Sequence, residues 1–374
     1  MKFTATLLLL LSMGLSAAAQ ADARNACVQD LEFLPDFLLT NDTGANDHLA
    51  QKGQAHFDAA FAEALAQANQ VTDVKQCRKV IQNYLRSWRS GHLEVIVTAP
   101  AKKVEPAAET TETTDAPQPP KVDTRAPSLR MLSDQTLLLT VPSFGAAYTK
   151  PLAALLQQHH AQLANHPNWI IDVRNNGGGS DSTYAQLLPW FMADGWLEIG
   201  MEWLVTPVTI DAQASVCALF MPGDSACTDN IDPVLAVMRT AETGSYIALE
   251  EQAATFKTVE ALEPKRPSKV AVLTNKHCAS SCEQFLLTAQ QSFSVKVVGQ
   301  RTYGALDYSN LRPYALPSKQ LTLYYATSRS RRLPDMPVDV LGVIPDVYLA
   351  PAQDEQAAQA EVERVQTWLE GGRL

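Results

Sequence analysis

Nowhere in the 374 residues does an apolar run reach the roughly 20 residues a membrane span needs. Basic residues form no long cluster; Arg329, Arg331 and Arg332 are the densest group and are expected on a solvated edge. With a formal net charge of −10, this argues against nucleic acid or an anionic membrane as the main partner. His277, Cys278 and Cys282 supply three donors but no second pair follows, so no zinc site is expected and no metal is assigned. No G-x-G-x-x-G and no P-loop lysine follow the glycine-rich segment, which disfavours a nucleotide. No G-x-S-x-G surrounds any serine, which excludes an esterase of the α/β-hydrolase type. There is no internal repeat.

What is present is ordinary for a globular protein: 46% hydrophobic and 19% charged residues, in a chain long enough for two or three domains. The first residues read as an export signal, 1–19. Lys2 gives a positive start, Leu7 to Leu11 an apolar centre, and Ala17-Ala18-Ala19 a small-residue cleavage site before Gln20. A periplasmic or secreted protein is therefore expected. In that oxidising setting six cysteines suggest disulfides. Connectivity cannot be deduced from sequence. Proximity suggests Cys27–Cys77, Cys217–Cys227 and Cys278–Cys282, the last bracketing Ser280.

Residues 20–98 read as a small helical domain. Leu31, Leu34, Phe37 and Leu38 repeat at helical spacing, as do Phe57, Phe61 and Leu65, and Val80 to Trp88 continue the pattern. Residues 99–128 are rich in proline, threonine, alanine and charge, with too little apolar bulk to offset ordering, and read as a linker. From 129 to 374 the pattern is α/β. Strands are expected at Thr136–Val141, Trp169–Val173, Leu197–Thr206, Lys269–Leu273, Val295–Val298 and Leu321–Ala326. Helices are expected at Leu152–Leu163, with His159 and His160 outward, and at Asp354–Leu369. Trp196, Trp203, Phe191 and Tyr184 are expected in the core or along a groove.

Two segments could carry chemistry. In V-A-V-L-T-N-K-H-C-A-S-S-C-E, a buried strand runs into a small-residue turn, and Ser280 stands where an amphipathic helix begins. A hydroxyl there is exposed, and amides at the helix start can stabilise an oxyanion. The plainer reading is a capping box of Ser280 and Glu283. In N-N-G-G-G-S, 175–180, the glycines allow close backbone approach. That loop could cradle a phosphate, form half of an oxyanion hole, or be a turn.

Together these segments resemble the S41 serine peptidases, the tail-specific and C-terminal-processing proteases. D-V-R-N-N-G-G-G-S is similar to the family's D-L-R-x-N-x-G-G, and C-A-S-S-C-E to its T-A-S-A-A-E. V-V-G-Q-R-T-Y-G is similar to V-x-G-x-x-T-x-G, and G-V-I-P-D, 342–346, to G-I-x-P-D. The resemblance implies a layered α/β core of the ClpP/crotonase-like type, with Ser280 as nucleophile, a peptide or protein substrate, and no cofactor. It departs from the family in one respect. Processing proteases place the lysine of a Ser–Lys dyad directly after the Gly of T-x-G, but here Gly304 is followed by Ala305. The tricorn-like and retinoid-binding-protein-like branch uses a histidine instead. By that resemblance S-W-R-S-G-H-L implies His92 as general base, Asp339 as its acid partner, and the amides of Gly178 and Ser281 as the oxyanion hole. His277, His48 and His56 are rival bases, Asp307 a rival acid, and Cys278 and Cys282 rival nucleophiles. A PDZ domain has no room between residues 93 and 128. The alternative function is a non-catalytic relative that binds peptides or apolar ligands.

Overall fold

The structure is a computed structural model that describes residues 4–98, 126–260 and 267–374, with side chains from Gln20 onward. Side chains of the expected signal segment, and nearly all of the expected linker, lie outside the described residues. The chain opens with helices α1 (Thr4–Asn41), α2 (Ala45–Lys52), α3 (Gln54–Ala68) and α4 (Val74–Trp88), then strand β1 (Glu94–Val97). Asp73 caps α4 by accepting the amides of Lys75 and Gln76. After the undescribed stretch come β2 (Ser128–Met131), β3 (Thr136–Thr140), α5 (Thr149–Gln158), α6 (His160–Asn165) and β4 (Asn168–Asp172). Then follow α7 (Asp181–Ala185), α8 (Leu188–Phe191), β5 (Gly195–Ile199), β6 (Met201–Leu204) and three helices, α9 (Pro207–Ala214), α10 (Val216–Phe220) and α11 (Ser225–Met238). The remainder is β7 (Tyr246–Ile247), β8 (Ala254–Thr258), β9 (Lys269–Thr274), α12 (Ser281–Ala289), β10 (Val295–Gly299), β11 (Tyr308–Ala315), β12 (Leu321–Ser330), β13 (Val347–Tyr348) and α13 (Glu355–Leu369).

The core sheet has the order β13-β10-β9-β4-β3-β2, parallel from β13 to β3, with β2 antiparallel at the edge. Its central strands are nearly continuous apolar runs because both faces are covered. Alternation then sorts the residues. Leu137, Leu139, Trp169, Ile171, Val270 and Val272 pack with Phe144, Leu187 and Phe285 on one face. Leu138, Ile170, Ala271 and Leu273 pack against Val362, Val365 and Leu369 of α13 on the other. Each large apolar side chain so buried contributes about 1.5–3 kcal/mol. Loops leaving β3, β4, β9 and β10 at their carboxyl ends therefore converge on one rim, where open parallel sheets place their sites.

A second sheet joins β1, β12, β6 and β7, with β11 also paired to β12. It changes the reading of the N-terminal region. Leu31, Leu34, Leu38, Ile81, Leu85 and Trp88 share one buried cluster with Leu316, Leu321, Leu323 and Tyr325 of the β11–β12 hairpin. The helices pack on one another, and the β11–β12 hairpin completes their core.

Three further expectations are revised. The stretch 197–206 is two strands in different sheets, because the chain turns at Gly200 and pairs with β8 on one side and β12 on the other. The helix expected over 152–163 is two, breaking at His159, which is half-buried while His160 is exposed. The arginines are not a solvated edge. Arg332 is buried and donates to Gln284 Oε1 at 3.0 Å, Arg329 pairs with Glu202 at 2.6 Å, and Arg331 donates to the carbonyls of Glu250, Glu251 and Gln252. They end a long strand whose turn runs against α12 and the neighbouring loops. The expected core residues Phe191 and Tyr184 are buried, and Trp196 and Trp203 half-buried. Cysteines pair as Cys27–Cys77, Cys217–Cys227 and Cys278–Cys282.

Candidate active site

Ser280 ends the loop after β9 and precedes the first turn of α12. Its backbone lies at φ 57° and ψ −127°. A non-glycine residue held there costs on the order of 1–3 kcal/mol and persists only where its surroundings impose it. They do so here. The Ser280 amide donates to the Ala305 carbonyl at 3.0 Å and to Glu283 Oε2 at 3.1 Å, and the Ser280 carbonyl accepts the amides of Glu283 and Gln284. The Cys278–Cys282 disulfide closes over the turn, and both cysteines are fully buried. Cys278 and Cys282 are thus covalently paired and not nucleophiles.

Glu283 is more than a cap. Fully buried, its carboxylate also accepts Thr302 Oγ1 at 2.5 Å and the amides of Gly304 at 2.7 Å and Ala305 at 2.9 Å. Burial raises its pKa and these donors oppose the rise. The loop after β10 is thereby fastened to the Ser280 turn.

The glycine loop after β4 closes the other side. Gly178 has φ +93°, and a methyl group there would stand 2.6 Å from the Ala279 carbonyl oxygen and 2.8 Å from Ser280 Cβ. Only glycine allows that approach. Ser281 Oγ donates to the Gly179 carbonyl at 3.1 Å. The Gly178 amide donates to Asn176 Oδ1 at 2.9 Å, while Asn176 Nδ2 donates to the Val141 carbonyl and the Asn176 carbonyl accepts the Ala279 amide. Asn176, fully buried, joins three of the rim loops, a role its place in the motif does not announce. Arg174 of the same motif turns away, to Asp172 and to Glu361 on α13.

His92 lies in the turn between α4 and β1, at φ 52°. Its Nδ1 is 2.5 Å from the Tyr308 carbonyl. A carbonyl only accepts, so Nδ1 carries the proton and Nε2 presents its lone pair, the tautomer a general base requires. Burial, with the Arg89 charge adding to it, lowers the His92 pKa to about 4 against the opposing Tyr308 hydrogen bond. The imidazole is therefore neutral at ordinary pH.

The His92 turn and the Ser280 turn meet on the same segment, 303–308. A methyl group on Gly91 would fall 2.6 Å from Ala305 Cβ, and the Ala305 carbonyl holds the Ser280 amide. Tyr303 spans both, its amide donating to the Cys278 carbonyl at 2.9 Å and its hydroxyl to the Ser90 carbonyl at 3.0 Å.

Asp339 does not hydrogen-bond to His92. Its Oδ1 accepts the amides of Leu306 and Asp307, just before the Tyr308 carbonyl that holds the imidazole. Burial and the neighbouring Asp307 push its pKa up to about 7. Asp307 returns the exchange, accepting the amides of Val338 and Asp339 on Oδ2. Among the rival bases, His277 is exposed beside the Ser280 turn, and His56 faces the Ser87 carbonyl. His48 packs against the Tyr308 ring, centroids 5.4 Å apart, and burial lowers its pKa to about 4.

Comparison with known proteins shows the family and the fold. Residues 135–349 match the description of peptidase family S41, and the chain belongs to that family. Mature CPAF, solved alone and complexed with lactacystin, is similar in fold. The lactacystin complex aligns at TM-score 0.61 and 12% identity over 93% of this chain and 97% of its own. The uncomplexed form gives 0.60 at the same identity over 93% and 96%. A candidate peptidase from Parabacteroides merdae aligns at TM-score 0.52 and 15% identity, covering 91% of this chain and 96% of its own. The curated proteins give no match. Among the described residues no helix is long and apolar enough to cross a membrane.

Proposed function

We propose that this protein is an exported serine peptidase that hydrolyses peptide bonds through an acyl-enzyme on Ser280, with His92 as general base. The observation that carries the reading is the shared seat of the two turns. A strained serine at a helix start and a neutral histidine of the right tautomer are fastened to one six-residue segment, 303–308. In acylation His92 Nε2 takes the Ser280 Oγ proton as Oγ bonds to the substrate carbonyl carbon, and the carbonyl oxygen becomes an oxyanion. The Ser281 amide at the helix start faces that charge. The Gly178 amide joins it by sharing or leaving Asn176 Oδ1. The C–N bond then breaks and His92 returns the proton to the leaving amine. Water reverses the sequence and frees the acid.

Tyr308 takes the orienting place that a triad gives to a carboxylate, and Asp339 acts through the segment that carries it. The lysine of the Ser–Lys dyad has no counterpart at Ala305, whose amide is instead a donor to Glu283. The three disulfides favour a periplasmic or secreted location.

A serine-reactive fluorophosphonate tests the reading. Wild-type protein should be labelled, Ser280→Ala should not, and His92→Ala should be labelled more slowly by about two to four orders of magnitude. Folded wild-type protein that resists labelling and leaves unfolded casein intact would favour the binding relative instead.

A further inference from the structure

Arg89 occupies the one residue between the end of α4 and the turn that carries His92, and it is buried. Its guanidinium makes four hydrogen bonds to three partners. Nη1 and Nη2 pair with the two oxygens of Asp42, the Nη2 distance being 2.6 Å. Nε donates to the Gly91 carbonyl at 2.9 Å, and Nη2 donates again to the His92 carbonyl at 2.8 Å. The guanidinium carbon also lies 5.4 Å from the centre of the Tyr308 ring, the residue whose carbonyl holds the imidazole. Asp42, fully buried at the end of α1, accepts the Ala326 amide of β12 at 3.1 Å and the Gly44 amide at 3.0 Å.

A buried ion pair is a poor source of stability, because desolvation offsets most of its attraction; well-packed apolar residues often replace it without loss. This pair is unusual in what its spare donors hold. They fix the two carbonyls of the His92 turn, where the histidine itself has a positive φ. We propose that Asp42 and Arg89 are a positioning pair for His92, which makes the helical N-terminal region a working part of the active site. The proposal rests on His92 being the base.

Other charged and titratable groups surround the turn. From α1 and α2 come Asp42, Asp47, His48 and Lys52; from the opposite loops come Asp307, Tyr308 and Asp339. Among these charges it is Arg89 that acts on the imidazole, reinforcing burial in favouring the neutral form. Arg89 also adds to the burial that lowers the His48 pKa, and opposes the burial that raises that of Asp339. Lysine could not substitute, since one ammonium cannot span a carboxylate and two carbonyls in a fixed fork.

The test uses the full mature chain with Asp42→Leu/Arg89→Met, with Arg89→Lys alongside in case the apolar pair fails to fold. Two readouts are taken: the rate of fluorophosphonate labelling, and the titration of the His92 imidazole by NMR. The second does not require activity, so failure of the proposal and failure of the peptidase reading remain distinguishable. The expected result is a folded protein whose labelling slows by about tenfold or more, with the His92 midpoint moving up from near 4 towards the ordinary 6.5. The slowing should vanish when the same changes are made in His92→Ala, as coupling requires. A folded Asp42→Leu/Arg89→Met with an unmoved His92 midpoint, a folded Arg89→Lys labelled at the wild-type rate, or equal slowing in the His92→Ala background would overturn it.

Discussion

Asp307 and Asp339 hold each other's backbones. The carboxylate of Asp307 accepts the amides of Val338 and Asp339, and that of Asp339 accepts the amides of Leu306 and Asp307. The exchange locks the loop after β10 to the loop after β12, one residue from the carbonyl that orients His92. Asparagine at 339 keeps an oxygen for both amides, while alanine leaves two donors unpaired at about 1–3 kcal/mol each. Asp339→Asn should therefore fold like wild type and Asp339→Ala should melt several degrees lower. Thermal unfolding followed by circular dichroism distinguishes them; equal melting temperatures would remove the exchange from the account.

The pH dependence separates the two groups. His92 is competent as a base when neutral, so the labelling rate should hold below the ordinary 6.5 and fall near its midpoint of about 4. If turnover needs the charged form of Asp339, a second step appears near 7 and disappears in Asp339→Asn. Stability shifts in opposite senses. The unfolded chain takes the His92 proton first, so that contribution is present above 6.5 and lost as pH falls towards 4. Asp339 holds its proton longer when folded, so its contribution declines as pH rises from 3.8 towards 7. Relative to wild type, Asp339→Asn should thus gain in melting temperature across that interval.

Glu283 predicts a graded series. Glu283→Ala leaves the amides of Ser280, Gly304 and Ala305 and the Thr302 hydroxyl without this acceptor. Glu283→Gln replaces one oxygen by a donor that faces donors. Both should be destabilised, the alanine variant most, and both should label poorly at temperatures where they remain folded. Hydrogen exchange at Gly304 and Ala305 would report the loosening directly.

The disulfide over the Ser280 turn gives a test of position against stability. Cys278→Ala/Cys282→Ala removes a short closure, for which chain entropy predicts a modest loss of about 2–3 kcal/mol or less. If the bridge helps hold the backbone of Ser280, the labelling rate should fall more than the melting temperature suggests. Thiol counting on denatured, unreduced wild-type protein should find no free cysteine.

Much of this was legible in the chain. The strands around Ile170 and Val272 read clearly because burial on both faces demands unbroken apolar runs. Ser280 and Gly178 were located by the resemblance of their motifs to peptidase family S41, since each segment alone reads equally as a capping box or a plain turn. The pairing of the cysteines followed their spacing. What escaped was long-range and backbone-borne. Tyr308 holds His92 through a carbonyl, which every residue has, so no side chain marks it. Asp42 and Arg89 are 47 positions apart, and no motif or spacing links them. The N-terminal helices looked self-sufficient because their apolar periodicity does not reveal that Tyr325 and Leu323 complete their core.

That shared core bears on how the protein tolerates being cut. The segment between 98 and 126 joins pieces that are already held by packing, by the β1–β12 ladder and by Asp42 on Ala326. Proteolytic nicking there would sever the peptide chain and leave one particle. Residues 20–98 and 126–374, produced as separate polypeptides, should reassemble into a complex that neither half can imitate alone.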